Sequence, residues 1–151
     1  MVKNETGEAI RSLHIQRDVF IEAAIEATFR AVVDELGEES RMPGDVAFPM
    51  KIELWPGGRW YRDLGNRAGH FWGTVQVVKP PRLLEISGPM FMSYPAVNFV
   101  RYRLAAEGSG TRLTLTHRAM GLMPDDDIEG VESGWDYGIE RIRELAGRGS
   151  G

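Results

Sequence analysis

Imidazole is the side chain whose proton exchange falls nearest neutral pH, and this sequence holds three, at His14, His70 and His117. His117 is the best placed to use it. In Thr111–Ala119, Leu113, Leu115 and His117 alternate onto one face, while Thr114, Thr116 and Arg118 take the other. The leucines must face an interior, so His117 faces it too. There it is either a buried ring bonded to its neighbours or a polar anchor and acid/base group on a cavity wall, which makes it the candidate catalytic residue. Proton transfer would need a partner. Glu53, Asp63 and Glu85 fall on strand segments, but nothing in their spacing joins them to His117. His14 shares the outward face of its strand, and His70 opens a strand beside Phe71 and Trp72. Neither forms an HxxxH or HxH pair with a carboxylate nearby, so no metal site is expected. The chain has no cysteine, no G-x-S-x-G and no supported S-x-x-K. The turns Pro56-Gly57-Gly58 and Gly108-Ser109-Gly110 lead into strands, whereas a phosphate loop leads into a helix. No recognised catalytic motif remains, and no cofactor is expected.

The large apolar residues give the positive signal. Phe91-Met92-Ser93-Tyr94 and Met120-Gly121-Leu122-Met123 fall in expected loops, where apolar side chains need a reason other than core packing. Loops at the mouth of a cavity supply one, because ligand pockets are mostly apolar with a few placed polar groups. The expected ligand-binding set is Trp60, Trp72, Phe91, Met92, Tyr94, Met120, Met123 and Trp135, with Arg62, Tyr102 and His117 as its polar members. Alternation on Arg59–Leu64 groups Trp60, Arg62 and Leu64. If that face is inward, Arg62 is a buried cation wanting an anionic ligand or an acid partner; otherwise it faces solvent.

These residues need elements to hold them. Leu13, Ile15, Val19 and Ile21 alternate as a half-buried strand. From Ala23 to Leu36 the period changes: Ile25, Phe29, Val32, Val33 and Leu36 form a helical stripe, with Gly37 placed to stop it. Glu38–Asp45 reads as a loop. Strands follow at Met50–Trp55, Arg59–Leu64, His70–Val78, Leu83–Ser87, Ala96–Ala106 and Thr111–Ala119, joined by Gly- and Pro-rich turns, which is an antiparallel meander. After Pro124, Asp125, Asp126 and Asp127 suit a helix N-terminus. Ile128, Trp135, Ile139, Ile142 and Leu145 or Ala146 mark the apolar stripe, and Glu132, Asp136, Glu140, Arg141, Arg143 and Glu144 the charged face. The reading is α+β: a curved sheet of about 6–7 strands around a long C-terminal helix, as one domain over 13–146 with flexible ends at 1–12 and 147–151.

At 151 residues with 42% hydrophobic and 26% charged side chains, the chain can bury a core without a disulfide or metal. Its net charge is -4, and its basic residues are spread along the chain. Nucleic-acid binding, which needs a concentrated basic face, is not expected. No apolar run is long enough for membrane insertion and the first dozen residues hold no apolar segment, so the expected location is cytoplasmic.

Four motifs occur in order: Pro56-Gly57-Gly58-Arg59-Trp60; Gly73-Thr74-Val75 leading to Lys79-Pro80-Pro81-Arg82-Leu83; Gly110-Thr111-Arg112-Leu113-Thr114-Leu115-Thr116-His117; and Gly134-Trp135. Together with Val19-Phe20-Ile21-Glu22-Ala23-Ala24 and Phe29, they resemble the START-like (SRPBCC) superfamily. Within it the chain is most similar to the group named after homologues of the activator of the ninety-kilodalton heat-shock protein's ATPase. The resemblance covers about residues 13 to 146. It implies a helix-grip fold with a hydrophobic cavity between sheet and C-terminal helix. It does not imply one function, since fold alone does not choose among activities. Three readings follow. The first is binding of a small hydrophobic or amphipathic molecule. The second is an enzyme of polyketide cyclase/dehydratase or hydrolase type with His117 as acid/base. The third is a chaperone-regulating interaction domain, against which stands the lack of any counterpart to the eukaryotic activators' extra N-terminal domain. A homodimer remains open.

Overall fold

Alternation carries Leu13, Ile15 and Ile21 of β1 (Arg11–Ile21) onto a buried face and leaves Ser12, His14 and Gln16 exposed. The computed structural model describes residues 9–124 and 127–149. After β1 the chain forms α1 (Ile25–Leu36), whose stripe buries Phe29, Val32 and Leu36. Gly37 ends the helix, its N–H returning to the Asp34 carbonyl at 3.0 Å. The stretch expected to be a loop closes into a small hairpin, β2 (Arg41–Met42) against β3 (Val46–Ala47). Its turn uses Gly44 and Asp45 at φ of 90° and 60°, a region that glycine and, less readily, aspartate tolerate.

The main sheet continues with β4 (Lys51–Ile52), β5 (Arg59–Gly65), β6 (Ala68–Lys79), β7 (Leu83–Gly88), β8 (Ala96–Glu107) and β9 (Gly110–Gly121). Its order is β1-β9-β8-β7-β6-β5-β4, antiparallel throughout, and α2 (Asp127–Gly149) packs across it beside α1. This is the α+β helix-grip arrangement. The strand expected over Met50–Trp55 shrinks to Lys51–Ile52, because the Glu53 and Trp55 backbone turns toward the Pro56-Gly57-Gly58 corner. Helix α2 runs to Gly149 and β1 starts at Arg11. Positions 1–8 and 150–151 lie outside the described residues, as do Asp125 and Asp126 of the expected acidic helix start.

The core has two parts. The larger joins the inner sheet face to both helices and includes Ile21, Phe29, Leu84, Tyr102, Leu113 and Ile142. The smaller, near the start of α2, gathers Leu13, Ile15, Met92, Ala119, Met123 and Val131. One charged residue departs from the expected pattern. Arg141, assigned by periodicity to the solvent face of α2, is 0% exposed. The two helices pack side by side, so part of that face meets α1 and its following loop. Arg141 donates to Glu144 at 2.8 Å and to the Glu39 carbonyl at 3.1 Å, while its Nε has no partner.

Candidate functional site

A cleft of about 490 Å³ opens between α2, the C-terminal end of α1, the β2–β3 hairpin and strands β5 and β6. Each wall has a local cause. Trp60 is held by its indole N–H, which donates to the Leu36 carbonyl at 2.7 Å and so satisfies an orphan acceptor at the end of α1. Trp72 stands edge-on to Trp60, ring centroids 5.1 Å apart, and meets Phe48 at 5.9 Å and Phe91 at 5.8 Å. Phe91 reaches this group because the loop after β7 doubles back over β6. A Cβ on Gly88 would overlap the Trp72 carbonyl and Gly73, so glycine alone permits that crossing, and the Met90 N–H then bonds to the Trp72 carbonyl at 2.8 Å.

The opposite wall is α2, and its contribution is space. Gly130, Gly134 and Gly138 recur every four residues and all line the cleft, so a stripe of bare backbone faces the aromatic rings. A Cβ at Gly130 or Gly134 would meet nothing within 4 Å. Val131, Trp135 and Tyr137 flank the stripe. The Tyr137 hydroxyl donates to Asp45 Oδ1 at 2.6 Å, tying the β2–β3 hairpin to the helix.

One acid lies in this wall, and the sequence reading did not single it out. Glu35, on the last turn of α1, lines the cleft. A Cβ at position 138 would sit 3.4 Å from its Oε1, so the missing side chain of Gly138 makes room for it. Glu35 keeps some accessible surface and lines the cleft, yet it is otherwise surrounded by protein. That burial pushes its carboxyl up to about 7, against the opposing pull of the Arg141 charge. The readable signal was the Gly130-Gly134-Gly138 spacing: glycine is unfavourable inside a helix, and three on one face mark a surface kept clear.

Of the expected ligand-binding residues, Trp60, Trp72, Phe91 and Trp135 line the cleft together. The others lie elsewhere. Arg62 is not part of the lining: its guanidinium sits 3.8 Å over the ring of Phe48, which does line the cleft, and donates to the Pro49 carbonyl at 3.4 Å. Tyr102 is buried in the main core, and burial holds its phenol well above its ordinary value. Met92 and Met123 fill the smaller core, with Tyr94 packed against it. Met120 is 54% exposed: β9 extends through it, and alternation from His117 and Ala119 turns it outward.

His117 also lies away from the cleft's lining, with both ring nitrogens engaged. Trp135 donates its indole N–H to Nδ1 at 2.9 Å, and Nε2 stands 2.7 Å from Asn98 Oδ1. Since an indole only donates, Nδ1 accepts, and the neutral ring carries its proton on Nε2 and donates it to Asn98. Asn98 in turn donates to the Pro89 carbonyl at 3.2 Å. Burial lowers the His117 pKa to about 4. None of the three carboxylates considered as its partner does that work: Glu53 pairs with Arg59, Asp63 accepts from the Gly65 N–H, and Glu85 faces Arg101. Among the described residues no three His, Asp or Glu side chains converge on a metal position, and no helix is long and apolar enough to cross a membrane.

The fold recurs in solved structures. An uncharacterised protein from Rhizobium leguminosarum matches 95% of this chain and 99% of its own, at TM-score 0.72 and 16% identity. CalU16 from Micromonospora echinospora matches 91% of this chain and 76% of its own, at TM-score 0.58 and 24% identity. The di-domain ARO/CYC StfQ from the steffimycin biosynthetic pathway matches 89% of this chain and 49% of its own, at TM-score 0.61 and 10% identity. Identities this low speak to the fold alone. No curated protein matches the sequence. Residues 46–147, from β3 through nearly all of α2, match the family model for activator of Hsp90 ATPase homolog 1-like proteins. The chain therefore belongs to the activator of Hsp90 ATPase homolog 1-like family.

Proposed function

We propose that the protein binds a small hydrophobic or amphipathic molecule in the cleft between α2 and the aromatic wall of the sheet. The observation that carries this reading is the stripe Gly130-Gly134-Gly138 opposite Trp60, Trp72 and Phe91. A helix gives up stability to hold three interior glycines, and here they leave about 490 Å³ unfilled, within the range of small-molecule pockets. Thermal denaturation with a library of apolar and amphipathic compounds tests the proposal. A binder raises the melting temperature through RT ln(1 + [L]/Kd), and a library without any effect would defeat the reading.

A second reading is acid/base turnover in the same cleft, favoured by the position of Glu35 in its lining, where burial pushes the carboxyl up to about 7. In that reading the proton-transfer group is Glu35, while His117, with both nitrogens occupied, positions Trp135. The similarity to StfQ, described as an ARO/CYC di-domain, is in keeping with it. Turnover that survives Glu35→Gln would exclude Glu35 from the chemistry.

A further inference from the structure

Glu35 has no protein group to answer it. Among the described residues it makes no hydrogen bond and no ion pair, and the one charge that favours its ionised form is Arg141. That neighbour is already spoken for. Arg141 donates to Glu144 Oε2 at 2.8 Å and to the Glu39 carbonyl at 3.1 Å, with Glu39 Oε2 a further 3.6 Å contact. One positive charge therefore faces two carboxylates before Glu35 ionises. The other ionisable groups around Glu35 do not pair with it. Tyr102, in the core on β8, stays neutral, and the Tyr137 hydroxyl, from α2, donates its hydrogen bond to Asp45. Arg41, on β2, lines the cleft, and among the described residues it makes no ion pair to Glu35. Glu35 keeps some accessible surface, so solvent in the cleft can serve it, and a ligand that displaces that solvent must supply the donors in its place.

The walls around it narrow the choice. Phe48, Trp60, Trp72, Phe91 and Trp135 present rings to the same space, and ring faces attract cations. An alcohol would supply a hydrogen bond to Glu35 and leave the charge unbalanced. A carboxylic acid would meet Glu35 as a like charge. An ammonium group supplies donors and opposite charge together. We infer that the cleft selects an apolar molecule bearing one protonated amine, with its ammonium at Glu35 and its ring or hydrocarbon body against Trp60, Trp72 and Trp135. This rests on the reading of the cleft as a ligand site. Because burial raises the Glu35 carboxyl to about 7, the same amine binds more tightly at pH 8 than at pH 6.

Three isosteric probes test the inference: 1-naphthylmethylamine, 1-naphthylmethanol and 1-naphthoic acid, titrated at pH 8 with tryptophan fluorescence as the signal. The expected order of affinity is amine, alcohol, acid, with the amine at least tenfold tighter than the alcohol. Glu35→Gln keeps a hydrogen-bond acceptor and removes the charge, so the amine-to-alcohol ratio should fall at least fivefold. An acid that binds best would point to Arg41 in place of Glu35 and overturn the inference. So would an amine preference that persists in Glu35→Gln, while leaving the cleft as a ligand site. Failure of all three probes to bind would defeat the inference and the cleft reading together.

Discussion

The Trp135 indole donates to His117 Nδ1 at 2.9 Å, and the same indole forms part of the cleft wall. A hydrogen bond inside the core thus fixes a ring at the site. Trp135 and His117 also meet edge to face at 5.4 Å between centroids, so both the tilt and the depth of the indole depend on the histidine. His117→Ala would strand the indole N–H and Asn98 and open a void, costing roughly 2–4 kcal/mol in urea denaturation. Any ligand that uses the Trp135 face should weaken in parallel, although His117 itself lies outside the lining.

The pH dependence of stability follows from the same ring. Folded His117 holds a pKa of about 4 against 6.5 in an unfolded chain. As pH falls the unfolded state takes the proton first, so this contribution is complete above 6.5 and is lost on the way down to 4, about 3 kcal/mol in all. Glu35 works in the opposite sense. Its folded pKa of about 7 exceeds the unfolded 4.5, so its contribution is complete below 4.5 and is lost as pH rises through 7. Between 4.5 and 6.5 the two slopes oppose, and wild-type stability should stay nearly level. Glu35→Gln should uncover the His117 slope, with stability rising over that window and exceeding wild type at pH 8. Urea midpoints measured at half-unit pH steps would show it, and a slope unchanged by the substitution would refute it.

Much of this fold is legible in the residues. Alternation at Leu113, Leu115 and His117 placed β9 and its inward face, and the three- and four-residue spacing of Phe29, Val32, Val33 and Leu36 placed α1. The site was harder to read. Trp72 joins the wall beside Trp60 at a bulge, where Trp60 pairs with Gly73 and Tyr61 with Phe71, and a bulge depends on the pairing of two strands, which spacing along one of them does not give. Glu35 sits beside an apolar stripe like any helix-flanking acid. It becomes a cleft residue only because Gly138 of a distant helix leaves it room. Arg141 looked solvated for the same reason: helical periodicity gives the faces of α2 and not the neighbour that covers them.

Arg141 offers a separate check. Its charge is buried, its partners Glu39 and Glu144 are largely exposed, and its Nε is unsatisfied. Replacing it with an apolar side chain of similar length leaves two largely exposed carboxylates and frees one backbone carbonyl, that of Glu39. Arg141→Met should change stability by less than about 1.5 kcal/mol. It should also move the Glu35 titration upward, because the one cation that favours its ionised form is gone. Carboxyl-carbon NMR of the side chain would follow the shift.

The glycine stripe separates stability from function. Gly134 lies inside α2, and a Cβ there meets nothing within 4 Å. Gly134→Ala should therefore stabilise the protein by about 1 kcal/mol through helix propensity. A gain of that kind would measure the stability this chain forgoes by leaving the space beside Gly134 open. No gain, or a loss, in thermal denaturation would mean that position 134 is constrained by something other than the cleft.

The most direct measurement is a fluorescence titration of wild type and Gly134→Leu with the same apolar amine, alongside their melting temperatures. Leucine at 134 projects into the space facing Trp60 and Trp72. Wild type should bind saturably, and Gly134→Leu should lose at least tenfold in affinity while melting no lower than wild type. Equal binding by the two proteins would contradict this, because the ligand would then sit somewhere other than the space the glycines leave open.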